Sequence, residues 1–257
     1  AAGRRLTPAM RAALAAAGCT DPEVFRPPRV AILATGDELV VAAARPQAAQ
    51  IRNSNGPMLA AQCRRYGAEV VREQLLPDVA SKLDAALDDA LAAGVDAVVF
   101  SGGASVGAAD LIAPLLARRG VALDFDAVRV RPGRPVLFGE REGRLYFGLP
   151  GNPVGALLAC ALLVRPALEV LAGRAEAALT PATLSARLGF DYSGPSLALD
   201  AFRPVRLAGC GLAAEVRAIA YHGSADVAAA AAADAFLHVP PGVTALAEGT
   251  MVEVVIP

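Results

Sequence analysis

The run VVFSGGASVGAADLI, Val98 to Ile112, is an apolar segment that ends in almost no side chains. Together with Val95 it completes VDAVVF, a nearly unbroken apolar stretch of the kind that marks a strand buried on both sheet faces. After Phe100 come Ser101, Gly102, Gly103, Ala104 and Ser105, and Asp110 is the only charged residue before the next apolar run. Two adjacent glycines let the backbone adopt positive φ and let another group approach it closely. Such a loop serves either as a tight turn between strand and helix or as a backbone cradle for an anion or nucleotide at a helix start.

Outward from this loop the pattern alternates. RVAILATG is a short strand stopped by Gly36, AEVVREQLL is strand-like, and VALDFDAVRV holds a further strand. Between them, NGPMLAAQCRRYG places Met58, Leu59, Cys63 and Tyr66 on one helical face with Gly67 as the stop. SKLDAALDDALAAG spaces Leu83, Leu87 and Leu91 four apart, as an amphipathic helix does, and ADLIAPLLARRG reads as another helix. Strands alternating with helices of these lengths predict βαβ units and a mostly parallel sheet with helices on both faces. PVLFGEREGRLYFGLP reads as a hairpin turning at Glu142-Gly143. Asn152 is placed to cap a helix that starts at Pro153 and runs to about Ala172. From Arg174 onward short alternating runs and turn residues predict a small β-rich domain. The expected division is therefore 1–28, a helical lead-in; 29–173, the α/β domain; and 174–257, the β-rich domain.

Composition narrows the function classes. The chain is 55% hydrophobic, which implies a large aliphatic core, and its net charge of −1 offers no basic field for nucleic acid or anionic membrane. Cys19, Cys63, Cys160 and Cys210 form no C-x-x-C pair, and with His222 and His238 they give no zinc spacing. Free thiols and the lack of a signal-like apolar run after Arg4, Arg5 and Arg11 fit a cytoplasmic location. Leu145 to Val164 is uncharged and as long as a membrane span, but GLPGNP interrupts it, so a buried helix is the expected state.

In a doubly wound sheet, ligands bind beyond the carboxyl ends of the strands. Four loops fall there: TGDEL with Asp37 and Glu38, LLPDV with Asp78, the SGGASVGAAD loop with Asp110, and VRVRPGRP with Arg129, Arg131 and Arg134. Taken singly, each has an ordinary reading. Asp37 can cap a turn, Asp78 stands where a helix N-cap would, and RPGRP can be a solvated loop. Taken together, they offer carboxylates that suit Mg²⁺, guanidinium forks that suit phosphate and other oxyanions, and bare backbone. That mixture points to a phosphorylated or nucleotidylated ligand bound with a metal ion. No Ser-His-Asp set presents itself, and His238, between Leu237 and Val239, is read as structural.

TGDEL, IRNSNGPML, SGGASVGAAD, RPGRP and GLPGNPV, in this order and at these separations, resemble the molybdopterin molybdenumtransferase family, which includes gephyrin-type proteins. The tail HGSADVAAAAAADAFLHVPPGVTALAEGTMVEVV is similar to that family's final β domain. The resemblance implies insertion of molybdate into the dithiolene of adenylylated molybdopterin, with Mg²⁺-dependent release of AMP. It also implies that Glu38, Asp78, Asp110 and Arg131 carry the chemistry, with Asp78 and Asp110 on the metal. Thr35, Gly36, Asp37, Asn55, Ser101, Gly102, Gly103, Ser105, Arg129, Arg134, Pro150, Asn152 and Pro153 would contact substrate. The expected partners are the pterin nucleotide and molybdate, with no nucleic acid or membrane. The resemblance also implies dimerisation through a longer N-terminal region, and this sequence is expected to represent the family's last two domains only. Ala108, Ala127, Gly155 and Arg52 depart from the family pattern. Two alternatives remain open at this level: a non-catalytic molybdopterin-binding or scaffold module, and a molybdopterin adenylyltransferase.

Overall fold

The structure, a computed structural model, describes residues 3–102, 109–174, 181–209, 211 and 214–257, with backbone alone at 109–110. A short helix α1 (Pro8–Ala16), capped by Thr7 Oγ1, precedes the sheet and buries none of its residues. The first sheet uses β1 (Arg29–Thr35), β4 (Glu69–Leu76), β5 (Ala97–Ser101), β6 (Ala122–Ala127), β8 (Pro135–Arg141) and β9 (Arg144–Leu149). Two small strands, β2 (Leu39–Val40) and β3 (Ile51–Arg52), pair beside it, and β7 (Val130–Arg131) lies elsewhere. Spatial order is β4-β1-β5-β9-β8-β6. The first four strands are parallel; β8 and β6 run antiparallel. The β8–β9 hairpin reverses direction within two residues, and Glu142 and Gly143 both take positive φ there, as a tight hairpin turn requires.

Period-two alternation sends the strands' apolar residues to opposite faces. Val30, Ile32, Ala97, Val99, Phe147 and Leu149 face helix α2 (Asn55–Arg65) and the long helix after Pro153. Ala31, Leu33, Val98, Phe100 and Tyr146 face α3 (Ala80–Ala92) and α4 (Ala109–Arg118). The long helix has three parts: α5 (Pro153–Ala159), a π-helical turn (Cys160–Val164) and α6 (Arg165–Leu171). The wide turn lies just before Pro166, whose ring would clash with the carbonyl four residues back in a regular helix.

The strand expected across VALDFDAVRV divides. Its first half is the sheet edge β6, whereas β7 leaves that sheet and pairs with β12 of the second one. The second sheet comprises β10 (Thr183–Leu188), β12 (Asp200–Ala208), β13 (Glu215–Ala218), β14 (Ala235–Val239) and β16 (Met251–Val255). The order β13-β10-β16-β14-β12 closes through β12–β13 pairing into a five-stranded barrel. Beside it, β11 (Tyr192–Ser193) pairs with β15 (Ala245–Leu246), and the short helix α7 (Val227–Ala232) is capped by Asp226.

Val154, Leu157, Leu158 and Ala161 pack against Phe202, Phe236 and Val255 of the barrel. Helix α5 is thus covered by the sheet on one side and the barrel on another, which is why it is apolar all round. Pro153–Leu171 is long and apolar enough to cross a membrane by composition, and more than half of it is buried inside this fold. His238 is held between Asp200, at 2.7 Å, and the stacked ring of Phe202, a structural setting.

Asp96, entering β5, accepts two 2.6 Å hydrogen bonds from the Arg26 guanidinium and one of 2.7 Å from the Arg29 N–H. The Arg26 fork holds the Asp96 carboxyl below the usual carboxylate range. A lowered native value stabilises the fold above the unfolded value, near pH 4, and the contribution is lost as pH falls through the native value. Asp96→Asn should therefore cost about 1 kcal/mol near neutrality and progressively less below about pH 4. Thermal melts of both proteins across that range check it.

Candidate functional site

β1, β5 and β9 are adjacent parallel strands that end at Thr35, Ser101 and Leu149, so their carboxyl ends lie at one edge. Asn55, more than nine-tenths buried at the start of α2, ties the end of β5 to the turn after β9. Its Nδ2 donates to Ser101 Oγ at 3.0 Å and to the Gly151 carbonyl at 2.7 Å. Its Oδ1 is buried with no partner among the described residues. Asn53 Oδ1 accepts from the Gly56 N–H at 2.9 Å and so satisfies a donor that a helix start leaves open.

Above this edge, facing the barrel, lies a cavity of about 1280 Å³. Thr35, Glu38, Asn55, Ser101 and Gly102 line it, as do Arg131 and Arg134 of the RPGRP loop and Pro150, Asn152 and Pro153 of the GLPGNP turn. Asn152 occupies the N-cap position of α5 without making the expected side-chain cap. Its Nδ2 is drawn instead to Ser224 Oγ of the barrel, at 2.9 Å, and the Ser224 carbonyl accepts from the Val154 N–H at 3.0 Å.

The remaining candidates stand elsewhere. Asp78 accepts a hydrogen bond from Thr35 Oγ1 and lies behind that residue, outside the lining; helix α3 takes Val79 as its N-cap. Asp37 Oδ1 accepts from the Asp78 N–H at 3.0 Å, so Gly36 and Asp37 shape the loop that presents Glu38. Arg129 turns away from the cavity and donates to the Ala198 carbonyl. Gly103, Ser105 and the Asp110 side chain lie outside the described residues; Asp110 falls in the first turn of α4.

Charge sets the character of the cavity. Its charged lining is Glu38 against Arg52, Arg131, Arg134 and Arg203, and none of these five is in an ion pair among the described residues. Arg52 Nε donates to the carbonyls of Ala42 and Ala44, at 3.0 and 3.1 Å, and so anchors the loop between β2 and β3. Arg203 reaches in from β12, its guanidinium 5.9 Å from the centre of the Tyr221 ring. Burial pushes the Tyr221 phenol up, against the opposing charges of Arg131 and Arg203. No local motif singles out Arg203, Tyr221 or Ser224. They come from the β-rich half, and only their spatial approach to Arg131 and Asn152 marks them.

Comparison with known proteins identifies the two domains that meet here. Residues 31–170 match the family model described as "Probable molybdopterin binding domain", and residues 186–256 match the "MoeA C-terminal region (domain IV)". The chain belongs to the MoeA family. Among its curated MoeA-family relatives, the molybdopterin molybdenumtransferase of Nostoc sp. is 38% identical over 68% of this chain and 41% of its own length. That of Staphylococcus epidermidis is 31% identical over 99% of this chain and 60% of its own. A solved MoeA structure from Pyrococcus horikosii superposes with a TM-score of 0.81 at 32% identity, covering 99% of this chain and 60% of that one. The chain thus spans about half the length of the curated relatives it matches. The two matched regions are the α/β domain and the final β domain, which together enclose the cavity.

Proposed function

We propose that the cavity binds adenylylated molybdopterin and molybdate and supports the molybdenum insertion named for its relatives, with release of AMP. One observation carries the reading: four arginines and a single glutamate, none of them in an ion pair among the described residues, line one cavity in a chain whose net charge is −1. Such an excess of guanidinium groups suits a ligand that brings several negative charges, as a pyrophosphate linkage and a molybdate dianion do. Arg131 and Arg134 hold oxyanions through their forks. The starts of α2 and α5 face the same space and add backbone dipoles of the favourable sign. Ser101, Asn55 and Gly151 form a hydrogen-bonded floor that fixes the ligand against the strand ends, and fixed geometry alone supplies a large share of a rate.

Mg²⁺ fits this donor set through Glu38. That carboxylate is an acid on the lining, and Mg²⁺ is usually held by one or two carboxylates together with substrate phosphates. Bound there, it would neutralise charge on the pyrophosphate oxygens. Asp78 would act one step back, by orienting Thr35.

AMP release from adenylylated molybdopterin, followed by mass spectrometry with and without molybdate and Mg²⁺, tests the reading. Turnover should need both additions, and Glu38→Gln should lower it by at least about 10-fold. Binding of the pterin nucleotide without AMP release would favour a binding module instead. ATP consumption would favour an adenylyltransferase.

A further inference from the structure

Part of the barrel wall of the cavity belongs to no strand or helix. Tyr221, Gly223, Ser224 and Ala225 line the cavity from residues 219–226, the connection between β13 and α7. One carboxylate gathers this connection. Asp226 Oδ1 accepts from the Ala229 N–H at 2.9 Å. Its Oδ2 accepts from the His222 N–H at 3.0 Å and lies 3.1 Å from His222 Nδ1. The Asp226 N–H in turn donates to the Gly223 carbonyl at 3.0 Å. These bonds, that of the Ala229 N–H foremost, hold the Asp226 carboxyl below the usual carboxylate range, so it is an ionised acceptor at neutral pH. An N-cap aspartate ordinarily needs one oxygen for its helix. Here the second oxygen ties the chain back to His222, and Ser224 stands in the middle of the closed turn.

Ser224 is where this turn grips the α/β domain. Its Oγ accepts from Asn152 Nδ2 and its carbonyl from the Val154 N–H. Contacts continue from there to the arginines. Gly155, next after Val154, packs on Gly133 so closely that a Cβ on Gly133 would lie 3.2 Å from the Gly155 carbonyl oxygen. Gly133 itself stands between Arg131 and Arg134. We propose that Asp226 is a positioning residue for the RPGRP loop: by cinching residues 222–226 it seats Ser224 on the start of α5, and that start fixes where the Arg131 and Arg134 forks stand. The inference rests on the reading of this loop as the oxyanion holder. It adds a barrel residue, off the cavity lining, that governs the loop through Ser224. Helix α7 supports the same arrangement, since its Ala230 packs into the cluster that holds Val154 and Leu157.

Asp226→Ser tests this, because serine still caps α7 with its one oxygen and leaves the His222 N–H without an acceptor. Asp226→Asn, which also keeps a single acceptor oxygen, should reproduce it. Calorimetric titration with inorganic pyrophosphate should show affinity at least about 5-fold weaker than in the unaltered protein, within the roughly 2–30-fold by which residues remote from a ligand act. Amide exchange followed by NMR should be at least about 5-fold faster at His222 and Val154 and within about two-fold at Ala229. A cap alone would leave Val154 and the affinity unmoved. Ser224→Ala should weaken pyrophosphate too, and in Asp226→Ser/Ser224→Ala the combined loss should fall short of the product of the two, since both act through one contact. Unchanged affinity in both Asp226 variants, with the unaltered protein binding pyrophosphate, overturns the positioning role and leaves the oxyanion reading standing. Losses that multiply in the double variant overturn the route through Ser224. No pyrophosphate binding by the unaltered protein overturns the oxyanion reading of the loop and the positioning role with it.

Discussion

Gly102→Ala is expected to destabilise the fold by about 3 kcal/mol and to deform the cavity floor at the same time. A Cβ built on Gly102 falls 2.0 Å from the Thr35 carbonyl oxygen and 3.0 Å from its carbon, and these are backbone atoms of β1 that cannot swing aside. The residue also has a φ of +102°, which alone costs an L side chain on the order of 1–3 kcal/mol. The overlap adds a second cost of similar size, since overpacking against fixed atoms typically takes about 1–3 kcal/mol. Gly143 supplies the control. It also has positive φ, at the β8–β9 turn, but nothing lies within 4 Å of an added Cβ. Gly143→Ala should therefore show the conformational cost alone, about 1–2 kcal/mol. Urea unfolding of the two variants compares them directly. Equal midpoints would show that the Gly102 backbone retreats from Thr35 without cost. A lower midpoint for Gly102→Ala would show that position 102 is a glycine because Thr35 leaves it no room.

Much of the α/β half was legible because local patterns carry it. The apolar runs Val30–Ala34 and Ala97–Phe100 identify strands covered on both faces, and both are fully buried. The four-residue spacing of Leu83 and Leu87 identifies a helix that buries both. What was not legible depends on which segment meets which. Nothing local to Val130-Arg131 says that this pair leaves one sheet to lengthen another, because pairing partners are set by where β12 arrives. Asn152 has the side chain and position of a cap, yet Ser224 of the barrel outcompetes the helix for it. Glu38, Arg131 and Arg134 reach the cavity from loops that turn and glycine signals had marked. Arg203 was hidden because alternation along β12 has two possible faces, and only the docking of the barrel on α5 shows which one looks into the cavity.

Arg131→Ala is expected to weaken binding of inorganic pyrophosphate by roughly 10–150-fold, the equivalent of about 1.5–3 kcal/mol for hydrogen bonds to a charged group. An exposed ion pair would ordinarily contribute less, about 0–1 kcal/mol, because two flexible side chains must be ordered in water. Two features move Arg131 above that range. Its backbone is fixed on both sides: Arg131 pairs with Ala201 of β12, and Gly133 of the same loop packs on Gly155 so closely that a Cβ on Gly155 would lie 3.2 Å from the Gly133 Cα. Its charge also has no carboxylate partner among the described residues, so an arriving anion displaces no internal pair. Arg134 and Arg203 on the same lining add a field of the same sign, and the whole contribution should shrink as salt rises from about 50 to about 200 mM. Arg131→Lys keeps the charge and loses the fork, so it should fall between the other two proteins. Thermal stability should be unchanged in both variants, because the side chain is exposed and holds nothing else in place. Full affinity in Arg131→Lys would reduce the role to simple charge. Full affinity in Arg131→Ala would move the anion away from the RPGRP loop altogether, leaving Arg134 and Arg203 as the pair that holds it.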